Sequence, residues 1–212
     1  MEWIQYCIDL FLHLDKHLEQ ILNAYHTWTY LILFVVIFCE TGLVVTPFLP
    51  GDSLLFAAGV CGTLGLDPFL LFIILSSAAI AGDTANYWIG HYIGPKAFSG
   101  KIRFLKKEHL DRTHKFYEKY GGKTIVIARF IPIIRTFAPF VAGIGAMNYT
   151  RFIIYNIVGG VAWVALFVFG GYILADNQWV KDHFSVIIVA IIIISVMPMV
   201  YEYLRSRGQK TE

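Results

Sequence analysis

Charge is scarce in this 212-residue chain: Asp, Glu, Lys and Arg together make up 15% of it, where soluble domains carry about a quarter. A chain that is 57% hydrophobic and so poor in charge reads as a single membrane domain over 1–212. The formal net charge of +2, with no patch that interleaves basic and aromatic residues, excludes a nucleic-acid partner. Cysteine is equally sparse. Cys7, Cys39 and Cys61 are odd in number and form no C-x-x-C or Cys/His cluster, so neither a disulfide framework nor a zinc site is expected. They read as small hydrophobes among apolar neighbours. His13 and His17 are four apart, but no third ligand accompanies them, and no metal or other cofactor is expected. The start, Met1-Glu2, lacks a basic n-region and a small-residue cleavage site before Ala24; it is expected to be retained, not removed as a signal peptide.

Apolar sequence is abundant, some of it whole and some broken. Residues 152–175 and 184–201 carry no charged side chain and suffice to cross a bilayer, which takes roughly 20 apolar residues. The second of these belongs to a C-terminal transmembrane helix predicted over 184–204. Residues 68–94 read as a further span that carries Asp83. In 1–27, Trp3, Ile4, Cys7, Ile8, Phe11, Leu14, Leu18 and Leu22 recur at helical spacing but are interrupted by Asp9, His13, Asp15 and Lys16, the pattern of an interfacial helix.

Segments 40–62 and 124–147 are broken. Glu40, Pro47, Pro50 and Asp52 interrupt the first; Arg129, Pro132, Arg135 and Pro139 interrupt the second. Prolines this dense forbid one continuous helix, and freed backbone groups in hydrocarbon need other protein or a water-lined cavity. Each segment is predicted to be a re-entrant hairpin. The two share a pattern: Phe48-Leu-Pro50-Gly-Asp52 leads to Ala58-Gly59, and Phe130-Ile-Pro132-Ile-Ile-Arg135 leads to Ala142-Gly143. Pro-interrupted segments in corresponding places point to a transporter site between repeats, here 28–94 and 124–175. Nine of the 17 Lys and Arg fall in the connector 95–123, and Arg205, Arg207 and Lys210 close the chain. The positive-inside rule puts both in the cytoplasm, so the hairpins enter from opposite faces. Residues 105–120 read either as a surface helix on the anionic leaflet or as a solvated hinge. The expected fold is therefore an all-α membrane protein: an inverted repeat with two opposed re-entrant hairpins, transmembrane helices and an N-terminal interfacial helix.

Five ionisable residues fall at membrane depth: Glu40, Asp52, Asp83, Arg129 and Arg135. Left unpaired at about 2.5–3.5 kcal/mol each, they would cost on the order of 12–17 kcal/mol, more than a typical folding stability. They must be paired, hydrated or neutralised. A salt-bridge lock between the repeats is the plain alternative to function, but buried ion pairs stabilise poorly and intramembrane charges mark pathways. Asp83 has two readings of its own, a helix cap or hydrated group near an interface, or a member of the cluster. A guanidinium stays charged and presents a rigid fork that matches phosphate oxygens, and half-helix ends leave N–H groups that favour an anion. A carboxylate repels phosphate until it takes up a proton, and apolar surroundings favour the neutral form. Arg129 and Arg135 are the expected substrate-binding residues; Glu40, Asp52 and Asp83 are the expected proton-coupling residues.

The residues Glu40, Pro47-Phe-Leu-Pro-Gly-Asp52-Ser-Leu-Leu, Gly82-Asp83-x-x-Asn86-Tyr87-x-x-Gly90, Phe116-Tyr-Glu-Lys-x-Gly-Gly-Lys123 and Ala128-Arg129-Phe-x-Pro132-x-x-Arg135-Thr-x-x-Pro139-Phe-Val-Ala-Gly143, followed by Asn156 and Trp163, resemble the DedA family. That family is part of the wider group of SNARE-associated Golgi proteins. The resemblance covers roughly residues 28–175. It implies a bacterial inner-membrane protein with two opposed hairpins, associated with recycling undecaprenyl phosphate and with dependence on the proton-motive force. Others in the wider group scramble phospholipids. The acidic and arginine residues the family requires match Glu40, Asp52, Arg129 and Arg135.

The same residues bear on other functions. Gly51-Asp52-Ser53-Leu54 is a literal serine-hydrolase signature and Asp111-x-x-His114 supplies a D-x-x-H, but Ser53 lies in a membrane hairpin and the histidine in the basic connector, which is the wrong context. A lipid phosphatase would use the arginines, yet no histidine falls in the broken spans. No enzyme activity and no catalytic residue are expected. A proton-coupled transporter of a small ion or solute would use the same charges, as would a general phospholipid scramblase. The leading expectation is translocation of a phosphate-bearing lipid, with a homo-oligomer left open.

Overall fold

A computed structural model describes residues 27–43, 51–97, 121–145, 147–183, 186–187 and 189–191. The interfacial helix expected at 1–27, most of the connector 95–123 and the C-terminal span 184–204 lie wholly or largely outside the described residues. Among the described residues every regular element is helical. The helices are α1 (Thr27–Gly42), α2 (Gly51–Val60), α3 (Pro68–Ala97), α4 (Lys123–Ala128), α5 (Pro132–Ile144), α6 (Tyr149–Leu174) and α7 (Gln178–Asp182), with a 3₁₀ turn at Cys61–Leu64 after α2.

Among the described residues, two helices are long and apolar enough to cross a bilayer: Pro68–Ile93 within α3, and Tyr149–Leu174, each of 26 residues. At 1.5 Å per residue each reaches about 39 Å, beyond the roughly 30 Å of hydrocarbon. Local chemistry fixes where they begin. Asp67 precedes α3 and its Oδ1 accepts from the backbone N–H of Phe69 (2.8 Å) and Leu70 (3.2 Å), with Pro68 at the first position, where no N–H is needed. Asn148 does the same for α6, accepting from Thr150 (2.9 Å) and Arg151 (3.3 Å). These caps satisfy N–H groups that the first helical turn leaves orphaned. Large apolar side chains such as Ile154, Val158, Leu166 and Ile173 stand exposed along α6, as suits a helix whose solvent is lipid.

The segment 124–147 is broken where the prolines demand it. After α4, Phe130 and Ile131 donate back to Ile127 and Ala128 in tight i→i−3 turns (3.2 and 3.0 Å). Ile131 is extended, with φ −116° and ψ 106°, the conformation forced on a residue before proline. Its carbonyl then accepts from Arg135 (2.9 Å), and α5 starts. Arg129 thus sits at the break and Arg135 in the first turns of the next helix. The first broken segment differs from expectation at its beginning. Glu40 lies within α1, which continues to Gly42, because Glu is a good helix former and the first proline comes only at Pro47.

The chain forms two compact units. Among described residues, one takes in 27–33, 51–74 and 164 onward; the other takes in 34–43, 75–97 and 121–163. In the first, α2 packs on the later part of α6 so closely that a Cβ on Gly59 would overlap the Val168 carbonyl, and one on Gly171 the Phe56 carbonyl. In the second, α5 packs on α3 in the same way: a Cβ on Gly143 would overlap the Tyr87 carbonyl, and one on Gly90 the Phe140 carbonyl. In both cases each glycine follows by three residues the carbonyl that its partner glycine faces. Small residues let backbones approach where lipid supplies no hydrophobic drive. The second unit adds an apolar cluster of Tyr87, Ile125, Ala128, Ala138, Ala142, Met147 and Phe152, and the Tyr87 hydroxyl donates to the Met147 carbonyl.

Candidate functional site

Four of the five expected charges come together in the second unit, as two ion pairs. Arg135 Nη2 donates to Glu40 Oε1, joining α5 to the last turn of α1. Arg129 Nη2 donates to Asp83 Oδ2, joining the break before α5 to the middle of α3. All four are buried: Glu40 is 1% exposed, Asp83 4%, Arg129 3% and Arg135 8%. Removed from water, such charges are tolerable only in pairs. Asp52 is also buried, in the first turn of α2, where the helix N-terminus favours a carboxylate; it belongs to the first unit. The partner of Arg129 is therefore Asp83, which is neither a cap nor a hydrated interfacial group.

Three residues to which sequence reasoning gave no role complete the arrangement. Asn156 on α6 accepts from Arg129 Nη2 (2.8 Å) through its Oδ1 and donates through Nδ2 to the Ile80 carbonyl (3.0 Å) and Thr84 Oγ1 (3.3 Å) on α3. Asn86 on α3 donates to the carbonyls of Thr136 (2.7 Å) and Thr41 (3.3 Å). Trp163 lies beneath both cations, its ring centroid 4.9 Å from Arg135 Cζ and 5.9 Å from Arg129 Cζ. An aromatic face at that range attracts a desolvated guanidinium and here serves two. The legible signal was the presence of two asparagines inside otherwise apolar spans, since polar side chains at that depth are rarely idle.

Glycines shape the space around Arg129. A Cβ on Gly160 would run into Arg129 Nη1, and one on Gly159 would touch its side chain. That Nη1 is buried and makes no hydrogen bond among the described residues, and an unmade buried hydrogen bond costs roughly 1–3 kcal/mol. The arrangement is suited to anion binding: two fixed cations, each held by a carboxylate that a proton would neutralise, and an open donor edge on one. Among the described residues no group of three or more metal-ligating side chains occurs.

Comparison with known proteins places this chain among membrane proteins. The VTT domain matches residues 49–173. The chain is 48% identical over 211 residues to Protein DedA of Escherichia coli strain K12, covering 98% of this chain and 96% of that protein. It is 41% identical over 170 residues to the uncharacterized membrane protein Rv0364 of Mycobacterium tuberculosis, covering 78% and 74%. It is 34% identical over 152 residues to the inner membrane protein YqjA of Escherichia coli strain K12, covering 70% and 68%. No solved structure matches it.

Proposed function

The chain belongs to the DedA family of VTT-domain membrane proteins, and from that footing we propose that it translocates a phosphate-bearing lipid across the bacterial inner membrane under proton control. Undecaprenyl phosphate is the first candidate, on the resemblance alone. The observation that carries the reading is the pair of buried arginines, each neutralised by one carboxylate inside a membrane-spanning unit. Arg129 and Arg135 bind the phosphate headgroup while the hydrocarbon tail stays in lipid. In the empty state Glu40 and Asp83 hold them. Protonation of a carboxylate removes the charge that retains its guanidinium, and the phosphate takes its place. Asp52 serves as a third proton-sensitive carboxylate.

Coupling arises because the lipid binds the released arginines and not the paired ones, a differential affinity between two states. The reciprocal glycine contacts support a duplicated architecture, in which each short helix is one arm of a re-entrant hairpin. The basic connector puts the C-terminus in the cytoplasm. The test is translocation of a fluorescent polyprenyl phosphate in proteoliposomes. Arg135→Ala is expected to abolish it, and Glu40→Gln to flatten its pH dependence. Translocation by Arg135→Ala at the normal rate overturns the proposal, as does movement of small solutes by the wild type without any lipid movement.

A further inference from the structure

Asn86 is 0% exposed and lies in the middle of a helix long enough to cross the membrane. Its two amide hydrogens go to two main-chain carbonyls on two other elements, Thr41 on α1 and Thr136 on α5. Those residues follow, each by one position, the two partners of an ion pair, Glu40 and Arg135. One planar amide therefore grips the backbone immediately beside both charges.

The local structure makes the Thr41 carbonyl dependent on this grip. Thr41 lies in the last turn of α1, which ends at Gly42, so its carbonyl is among those a helix end leaves without an internal donor. Its hydroxyl cannot help, being turned back as a donor to the Ile37 carbonyl (2.9 Å). Gly82, one turn before Asn86, clears the way: a Cβ there would overlap Thr41 Oγ1. On the other side, Thr136 lies within α5, whose backbone ladder Pro139 interrupts nearby, and the Asn86 amide ties that stretch to α3. Where water is excluded, a donor from a neighbouring helix is the remaining way to satisfy a carbonyl at a helix end such as that of Thr41.

We propose that Asn86 is a positioning residue for the Glu40–Arg135 gate: it holds the two chain segments in register while the ion pair between them opens and recloses. An ion pair alone cannot do this, since the segments would part when a proton or a phosphate breaks it. A neutral amide bound to carbonyls is indifferent to both. Asn156 differs in kind, because it touches the Arg129 guanidinium itself. The proposal rests on the reading of the pair as a working gate, and the experiment separates the two.

Wild type, Asn86→Leu and Asn86→Asp are reconstituted, and movement of the polyprenyl phosphate is followed across a pH series. Among the described residues, Glu40, Asp83, Arg129 and Arg135 are the charged groups buried in the same unit, and they are common to all three proteins. Leucine has no donor, and translocation is expected to fall at least roughly tenfold at every pH as both hydrogen bonds are lost. Aspartate keeps the shape but donates only when protonated, so its profile is expected to rise toward acid relative to wild type. Wild-type rate and profile in Asn86→Leu, or an unshifted profile in Asn86→Asp, overturns the assignment. Hydrogen–deuterium exchange decides it without any lipid assay. Exchange in Asn86→Leu should rise together around 37–43 and 132–140 while 149–163 stays protected, and unchanged exchange in the first two segments overturns the assignment even if the wild type moves no lipid.

Discussion

The two compact units use one packing device and differ in electrical content. In each, a short helix that follows a proline-broken stretch lies against a long spanning helix through reciprocal glycine–carbonyl contacts, α2 on α6 in one and α5 on α3 in the other. Matching the long helices on Gly90 and Gly171 sets Asp83 against Val164 and Asn86 against Phe167. Asp83 and Asn86 of the second unit thus have apolar counterparts in the first, whose buried charge among the described residues is Asp52 alone. The glycine scaffold therefore does not need the charges, and the charges need a scaffold that brings backbones close enough to share one asparagine. Architecture and function separate along this line.

The comparison can be broken most forcefully at Asp83. Asp83→Ala leaves Arg129 buried without its counter-charge, and about 3–5 kcal/mol of stability should go, read as a lowered unfolding midpoint in detergent. A loss near zero would mean that Arg129 is neutralised by something other than the pair. The shared device is tested by Gly59→Ala and Gly143→Ala, each of which forces a methyl into a facing carbonyl. Each should cost roughly 1–3 kcal/mol, and by similar amounts; a large cost in one unit with none in the other would end the claim of equivalence. The smallest effect is expected at the helix starts. Asp67→Ala and Asn148→Ala should each cost about 1 kcal/mol, since the two caps accept the same pair of N–H groups.

How much of this could be read from the chain depends on the range of the interaction. The spans around α3 and α6, the break at Pro132 and the five intramembrane charges follow from composition and proline chemistry, which act locally. The expectation that the charges must be paired also follows from local cost. Which carboxylate meets which guanidinium does not, because Asp83 and Arg129 are 46 residues apart and helical spacing fixes a face but not the register of one helix against another. For the same reason Asp83 read equally well as a cap. The position of Glu40 inside α1 was obscured by treating the acidic residue as the start of the break, when the prolines begin only at Pro47. Asn86 stood in plain view within Gly82-Asp83-x-x-Asn86-Tyr87, but a role shared among three elements has no signature in any one of them.

Trp163 gives the molecule an optical property. Its indole is 1% exposed and faces two cations, whereas Trp28, Trp88 and Trp179 are exposed. A positive charge near an excited indole shifts the colour of its emission, so departure of either guanidinium from the ring alters the light this residue gives. The protein thus carries an intrinsic field sensor beside its two buried arginines, and it needs no added label.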